Sequence, residues 1–255
     1  MEISLANIIG SVLAIGLRVS GLMIFAPFFS SAVIAPRIKI VLAILITAVL
    51  YPVYGARVAP VGVTDWPMMV ASEALVGIAI GLATSAVFEA AGLAGQVLSV
   101  QMGYSLVNIL DPNTQVESTV VATLHQSLAM LLFLTLGVHY WILRAIAHSF
   151  DYLPPGTATV NPLLARALLH EGAIVLQLGI QIAAPVLAAT LVTDLMLGLM
   201  GKASPQMPLM LLGPAIKSPL GLLVFGVTLG FWPRLFERYF SESITYAERL
   251  MHVAR

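Results

Sequence analysis

The stretch "MMVASEALVGIAIGLATSAVFEAAGLAGQVLSVQMGYSL", residues 68–106, is a nearly unbroken apolar run whose only charges are Glu73 and Glu89. A continuous helix over it would be about 58 Å long at 1.5 Å per residue. The hydrocarbon core of a bilayer is only about 30 Å thick. The run therefore either breaks or tilts and extends beyond the bilayer. Membrane-spanning β-strands alternate apolar and polar residues, and this stretch does not, so the pattern predicts helix.

The rest of the chain agrees. Of its 255 residues, 59% are hydrophobic and 9% charged, with a mean hydropathy of +0.98. Soluble domains carry about 25% charged residues, so this is a membrane protein. A window of about 19 residues separates six apolar regions, roughly 3–29, 38–54, 68–106, 118–150, 163–200 and 209–232. The first carries Arg18 and lacks a small-residue cleavage site, so it reads as a retained segment. Pro185 in the fifth region and Pro214 with Pro219 in the sixth are predicted kinks. The expected fold is an all-α integral membrane protein with about six apolar helical regions, arranged as long or kinked helical hairpins.

Residues 1–232 read as the membrane domain and 233–255 as an amphipathic tail. In the tail Phe236, Phe240, Ile244, Ala247 and Met251 recur at helical spacing. That stripe is expected to rest on lipid headgroups, with docking to a partner as the alternative. If all six regions cross, Lys and Arg at their ends and in the connections number seven on one side and three on the other. The positive-inside rule then puts both termini in the cytoplasm; a hairpin within 68–106 or 163–200 would undo that count.

Arg18, Glu73, Glu89, Asp194 and Lys217 lie inside the apolar runs. Each costs roughly 2.5–3.5 kcal/mol at a helix centre, so pairing, water access or placement outside the hydrocarbon is required. Two readings remain open. Glu73 and Asp194 could relay protons in a secondary transporter, or the charges could pair with Arg18 and Lys217 or with a partner subunit to fix helix register. Gly77 with Gly81, and Gly226 with Gly230, have the spacing that lets helix backbones approach closely. Gln96 and Gln101 suit a watery or protein-lined path better than lipid.

No enzyme site emerges. His170-Glu171 is followed by Gly172-Ala173-Ile174, so the metalloprotease pattern is absent, and no nucleotide or nucleophile motif occurs. His125, His139 and His148 are too scattered for a metal set, so no catalytic residue, metal or cofactor is expected. There is no cysteine, which excludes disulfides and thiolate ligands. Twelve basic and twelve acidic residues balance, and nothing suggests nucleic acid as a partner. The remaining feature is a polar island, "QMGYSLVNILDPNTQVESTVV" at 101–121, which has no Lys or Arg. Asp111-Pro112-Asn113 is a turn signal, and an ordinary exposed loop would explain the polarity.

Four stretches in order carry a family resemblance: "RVSGLMIFAPFFSSAVIAPRIKIVLAILITAVLYP" (18–52), "EALVGIAIGLATSAVFEAAGLAGQVLSVQMGYSLVNILDP" (73–112), "LLFLTLGVHYWILRAIAHSFDYLPPG" (131–156) and "DLMLGLMGKASPQMPLMLLGPAIKSPLG" (194–221). Together they resemble the FliR family of flagellar export-gate proteins, whose injectisome relative is called SctT. Gln101-Met102-Gly103 and Ser204-Pro205-Gln206 are the most specific elements. The chain departs from the family pattern at Lys202, where Arg is common, and at Pro208, where Asn is common.

The resemblance implies a single copy in a pseudo-symmetric helical ring with FliP-like and FliQ-like subunits. A FliP-like part would be joined to a FliQ-like hairpin, and an FlhB-like protein would associate. The site would be the inner membrane at the flagellar basal body, where unfolded flagellar proteins pass through and membrane lipid surrounds the assembly. It also implies a pore plug formed by Leu106, Val107, Asn108, Ile109, Leu110, Asp111, Pro112, Asn113, Thr114, Gln115, Val116, Glu117, Ser118 and Thr119. Non-helical backbone at membrane depth is tolerated where protein or water lines it, which suits such a plug. An injectisome gate and a proton-coupled transporter are the alternatives.

Overall fold

A computed structural model of the chain describes residues 5–31, 34–55, 66–104, 120–154, 162–204 and 209–253. Every regular element among them is helical. In chain order these are α1 (Leu5–Phe25), the short α2 (Pro27–Ser30), α3 (Pro36–Tyr54), α4 (Trp66–Met102), α5 (Val120–Thr135), α6 (Val138–Tyr152), α7 (Pro162–Ala203), α8 (Leu209–Thr228), a 3-10 turn at Leu229–Phe231, and α9 (Trp232–Val253). Among the described residues five helical spans are long and apolar enough to cross a membrane, or six if the bent pair α5–α6 is one span. The protein is an all-α integral membrane protein.

The long apolar run does not break. α4 is one helix of 37 residues. Pro67 stands in its first turn, where a missing N–H costs nothing, and no proline follows within it. Its end is equally well defined. Gly103 adopts φ +87°, its N–H donates to Val100 O at 3.2 Å, and the Tyr104 N–H donates to Ser99 O at 2.9 Å. This is a Schellman motif, with glycine at the left-handed position where a Cβ would be strained. α7 likewise runs through Pro185, and α8 through Pro214 and Pro219, as uninterrupted helical segments.

The break comes instead in the fourth apolar region, which hydropathy alone reads as continuous. Gly137 takes φ +68°, and α5 and α6 bend by 66° there. Glycine enters the left-handed region at no steric cost, and the apolar residues on either side hide the turn from a hydropathy window.

The chain forms two compact units. One comprises Met1–Ala86, Phe133–Ala173 and Tyr239–Arg255; the other comprises Val87–Leu132 and Ile174–Arg238. In the first, Ile15, Val19, Leu22, Ile80, Ile142, Ile146 and Phe150 are buried, and Phe133 meets Phe240 edge to face at 5.8 Å. In the second, Ala90, Ala91 and Ala94 are fully buried on α4. Their small side chains and neighbouring glycines let helices approach: a Cβ built on Gly95 would lie 2.5 Å from Ala122 Cα.

The tail departs from its predicted environment. Phe236 and Phe240 are fully buried, and Ile244 and Ala247 nearly so. The apolar stripe of α9 therefore faces protein and not lipid headgroups; the Met251 side chain lies outside the described residues. Periodicity locates an apolar face, but which surface covers it depends on where the other helices lie.

Candidate functional site

Arg18 sits on α1 with none of its surface exposed. Its Nε donates to Glu73 Oε2 on α4 at 2.7 Å, and both side chains are fully buried. Its Nη1 donates to Ser149 Oγ at 3.1 Å and to the Leu153 carbonyl at 3.0 Å. The guanidinium also lies 4.4 Å from the centre of the Phe150 ring, a cation–π contact. One arginine thus ties α1, α4 and the C-terminal end of α6 together. At that end Leu153 O is one of the carbonyls no helical N–H can satisfy, and a cation there is favourable. The Tyr54 ring of α3 lies tilted against Phe150 with centroids 5.2 Å apart, and its hydroxyl donates to Asp151 Oδ2 at 3.4 Å.

The same unit holds Gly77 and Gly81. A Cβ on Gly77 would lie 2.0 Å from Arg18 O, and one on Gly81 would lie 2.9 Å from Leu22 O. From the opposite side, a Cβ on Gly21 would lie 2.6 Å from Ala74 O. α1 and α4 therefore touch backbone to backbone, and this closeness sets the short reach from Arg18 to Glu73.

In the second unit, Asp194 of α7 joins Lys217 of α8 at 2.5 Å and accepts a hydrogen bond from Gln101 Nε2 of α4 at 2.9 Å. The lysine side chain is 17% exposed and the aspartate 40%, so water screens this pair more than the first. Beside it the Ser218 hydroxyl donates to the Tyr104 oxygen. A Cβ on Gly103 would meet Pro214 at 2.8 Å, and one on Gly221 would meet Met102 at 2.6 Å. The last turn of α4 is thereby held to both α7 and α8.

The other singled-out residues lie apart from these two clusters. Glu89 is exposed. Gly226 and Gly230 have nothing among the described residues within 4 Å of where a Cβ would stand. Leu106 to Thr119 lie outside the described residues, as do 205–208. His125 is a packed core residue: its ring stacks on Phe225 at 4.5 Å and lies 5.3 Å from Trp232, with Nδ1 2.8 Å from Val121 O. Among the described residues no group of three His, Asp or Glu could hold a metal.

Sequence reasoning missed Ser149, Phe150 and Leu153 as partners of Arg18, and the Tyr104–Ser218 contact. These partners are 114 to 135 positions apart in the chain, and no local pattern links them. It also passed over Glu171, which is buried with neither carboxylate oxygen hydrogen-bonded among the described residues.

The family model for bacterial export proteins, family 1, matches residues 9–243. The chain is 30% identical over 228 residues to the flagellar biosynthetic protein FliR of Pectobacterium carotovorum subsp. carotovorum, covering 88% of this chain and 86% of that one. It is 30% identical over 226 residues to FliR of Escherichia coli (strain K12), covering 89% and 87%. It is 24% identical over 230 residues to FliR of Bacillus subtilis (strain 168), covering 89% and 88%. The matched span takes in residues of every described helix, both ion pairs and the Gly77–Gly81 contact. The chain belongs to the bacterial export proteins, family 1, the family of the flagellar biosynthetic protein FliR.

Proposed function

We propose that this chain is a component of the flagellar export apparatus, and more finely a structural, pore-forming and pore-plugging subunit of its type III export gate in the bacterial inner membrane. The observation that carries the reading is the family match over residues 9–243, with FliR proteins as relatives along nearly the whole length. The large apolar surface left on single helices supports it. Val49, Ile180, Leu195, Leu223, Val227 and Phe231 are each at least 60% exposed, more than a lone soluble bundle would leave. Lipid together with FliP-like, FliQ-like and FlhB-like subunits would cover it, and unfolded flagellar proteins would be the cargo.

The ion pairs favour this structural role over proton coupling. Glu73 is dry and locked to Arg18, and Asp194 is held by Lys217 and Gln101. A carboxylate engaged by a cation at salt-bridge distance fixes one helix against another, the register role. In this reading residues 106–119 plug the pore, entered from the fixed last turn of α4.

Deleting residues 107–117 tests the plug. Complexes should still assemble with FliP- and FliQ-like subunits, while the membrane becomes leaky to ions and small solutes. A tight membrane after the deletion would refute the plug. A chain that purifies alone from cells expressing those partners would refute the export-gate reading itself.

A further inference from the structure

α3 is unusual among the long helices in how little of it is covered: only Thr47 and Tyr54 are buried. It meets α1 where Gly16 faces the Thr47 side chain, 3.7 Å from a would-be Cβ. Along this contact runs a groove of about 530 Å³, lined by Val12, Gly16 and Ser20 of α1 and by Ile44, Thr47 and Tyr51 of α3. No lining residue is charged, and the Thr47 hydroxyl already donates to Ala43 O at 2.7 Å. The groove thus demands little of an occupant except apolar surface.

Ala43 and Tyr51 both line it, so it runs along about 12 Å of α3. An extended acyl chain can lie along that length.

Charge identifies the other end of the ligand. Arg37 lies seven residues before Ile44 and Lys39 four before Ala43, so both continue the groove-lining side of α3 toward its N-terminus. From Ile3 to Thr64 the sequence carries Arg18, Arg37, Lys39 and Arg57 and no Asp or Glu. Arg18 is taken by Glu73. Arg37 is exposed, and Lys39 donates to Ser30 O at 3.0 Å, leaving further ammonium protons to donate. From Arg37 to Tyr51 is about 21 Å of helix, close to the ~20–22 Å of one leaflet with its headgroups.

We infer that the groove between α1 and α3 binds an anionic phospholipid, with an acyl chain along Gly16 and Thr47 and the phosphate against Arg37 and Lys39. The full-length chain, purified in mild detergent with an equimolar mixture of phosphatidylglycerol and phosphatidylcholine, tests this by native mass spectrometry. Wild type should retain phosphatidylglycerol in preference by about thirtyfold, the ratio expected from two basic side chains near an anionic surface. Arg37→Gln with Lys39→Gln should bring the ratio close to one. Ala48→Trp, at an exposed groove position, should lower retention of both lipids, and Gly16→Leu should do the same from the α1 side. A preference that survives the Gln variants, or equal retention by wild type, overturns the assignment. So does a photo-crosslinker at Ala48 that captures protein and no lipid in intact cells.

Discussion

The Arg18–Glu73 pair gives the sharpest quantitative test. At 2.7 Å and an effective dielectric constant of ~20, the Coulomb attraction is about 6 kcal/mol. Desolvation of two fully buried charges offsets much of it, so the pair's net worth is small. Its one-sided removal is not, because the surviving charge stays buried. Glu73→Ala should therefore cost about 3–5 kcal/mol, a large share of the ~5–15 kcal/mol that typically holds a domain. Arg18→Ala should cost as much, and it also strands the Leu153 carbonyl, about 1–3 kcal/mol for an unmet buried group. The double variant Arg18→Ala with Glu73→Ala leaves no buried charge. It should recover at least ~2 kcal/mol relative to the sum of the single losses. The assay is reversible unfolding of the full-length chain in mixed micelles, followed by helicity, with assembly into the larger complex scored on native gels. The single variants should lose assembly before any change in membrane leakiness. A coupling energy below ~0.5 kcal/mol would refute the reasoning, as would single variants that assemble normally yet fail in export.

The glycine contacts separate two otherwise identical spacings. Gly77→Ala should destabilise by about 1–3 kcal/mol because its Cβ meets Arg18 backbone, whereas Gly226→Ala and Gly230→Ala should be neutral or up to ~1 kcal/mol stabilising; thermal unfolding of the three variants checks the order. Asp194→Lys should cost about 1 kcal/mol, the modest value for a partly exposed pair, and adding Lys217→Asp should restore most of it. Failure of the charge swap to rescue would mean that the cluster acts through Gln101 or packing. At the bend between α5 and α6, Gly137→Ala should cost about 1–2 kcal/mol through left-handed strain, while Gly137→Asn should cost less; equal melting temperatures for Ala and Gly would refute that account.

The sequence alone determined that this is a helical membrane protein, which residues form its six apolar regions, and which family it resembles. Those properties are additive along the chain: hydropathy sums over a window, and the family's motifs are contiguous strings. It also flagged the charges that needed partners, because an isolated charge in an apolar run is costly wherever it stands. Tertiary structure decided who the partners are. Arg18 meets Glu73, 55 positions away, and the end of α6, 135 away, through a helix contact that Gly21, Gly77 and Gly81 make possible. The second GxxxG spacing has the same local pattern, yet no described residue lies within 4 Å of a Cβ there, because what a glycine does depends on the helix that comes to face it. The same holds for α9, whose apolar stripe was legible while its burial was not. Periodicity fixes which face of a helix is apolar, and only the placement of all the helices fixes whether that face meets lipid, another subunit or the chain's own core.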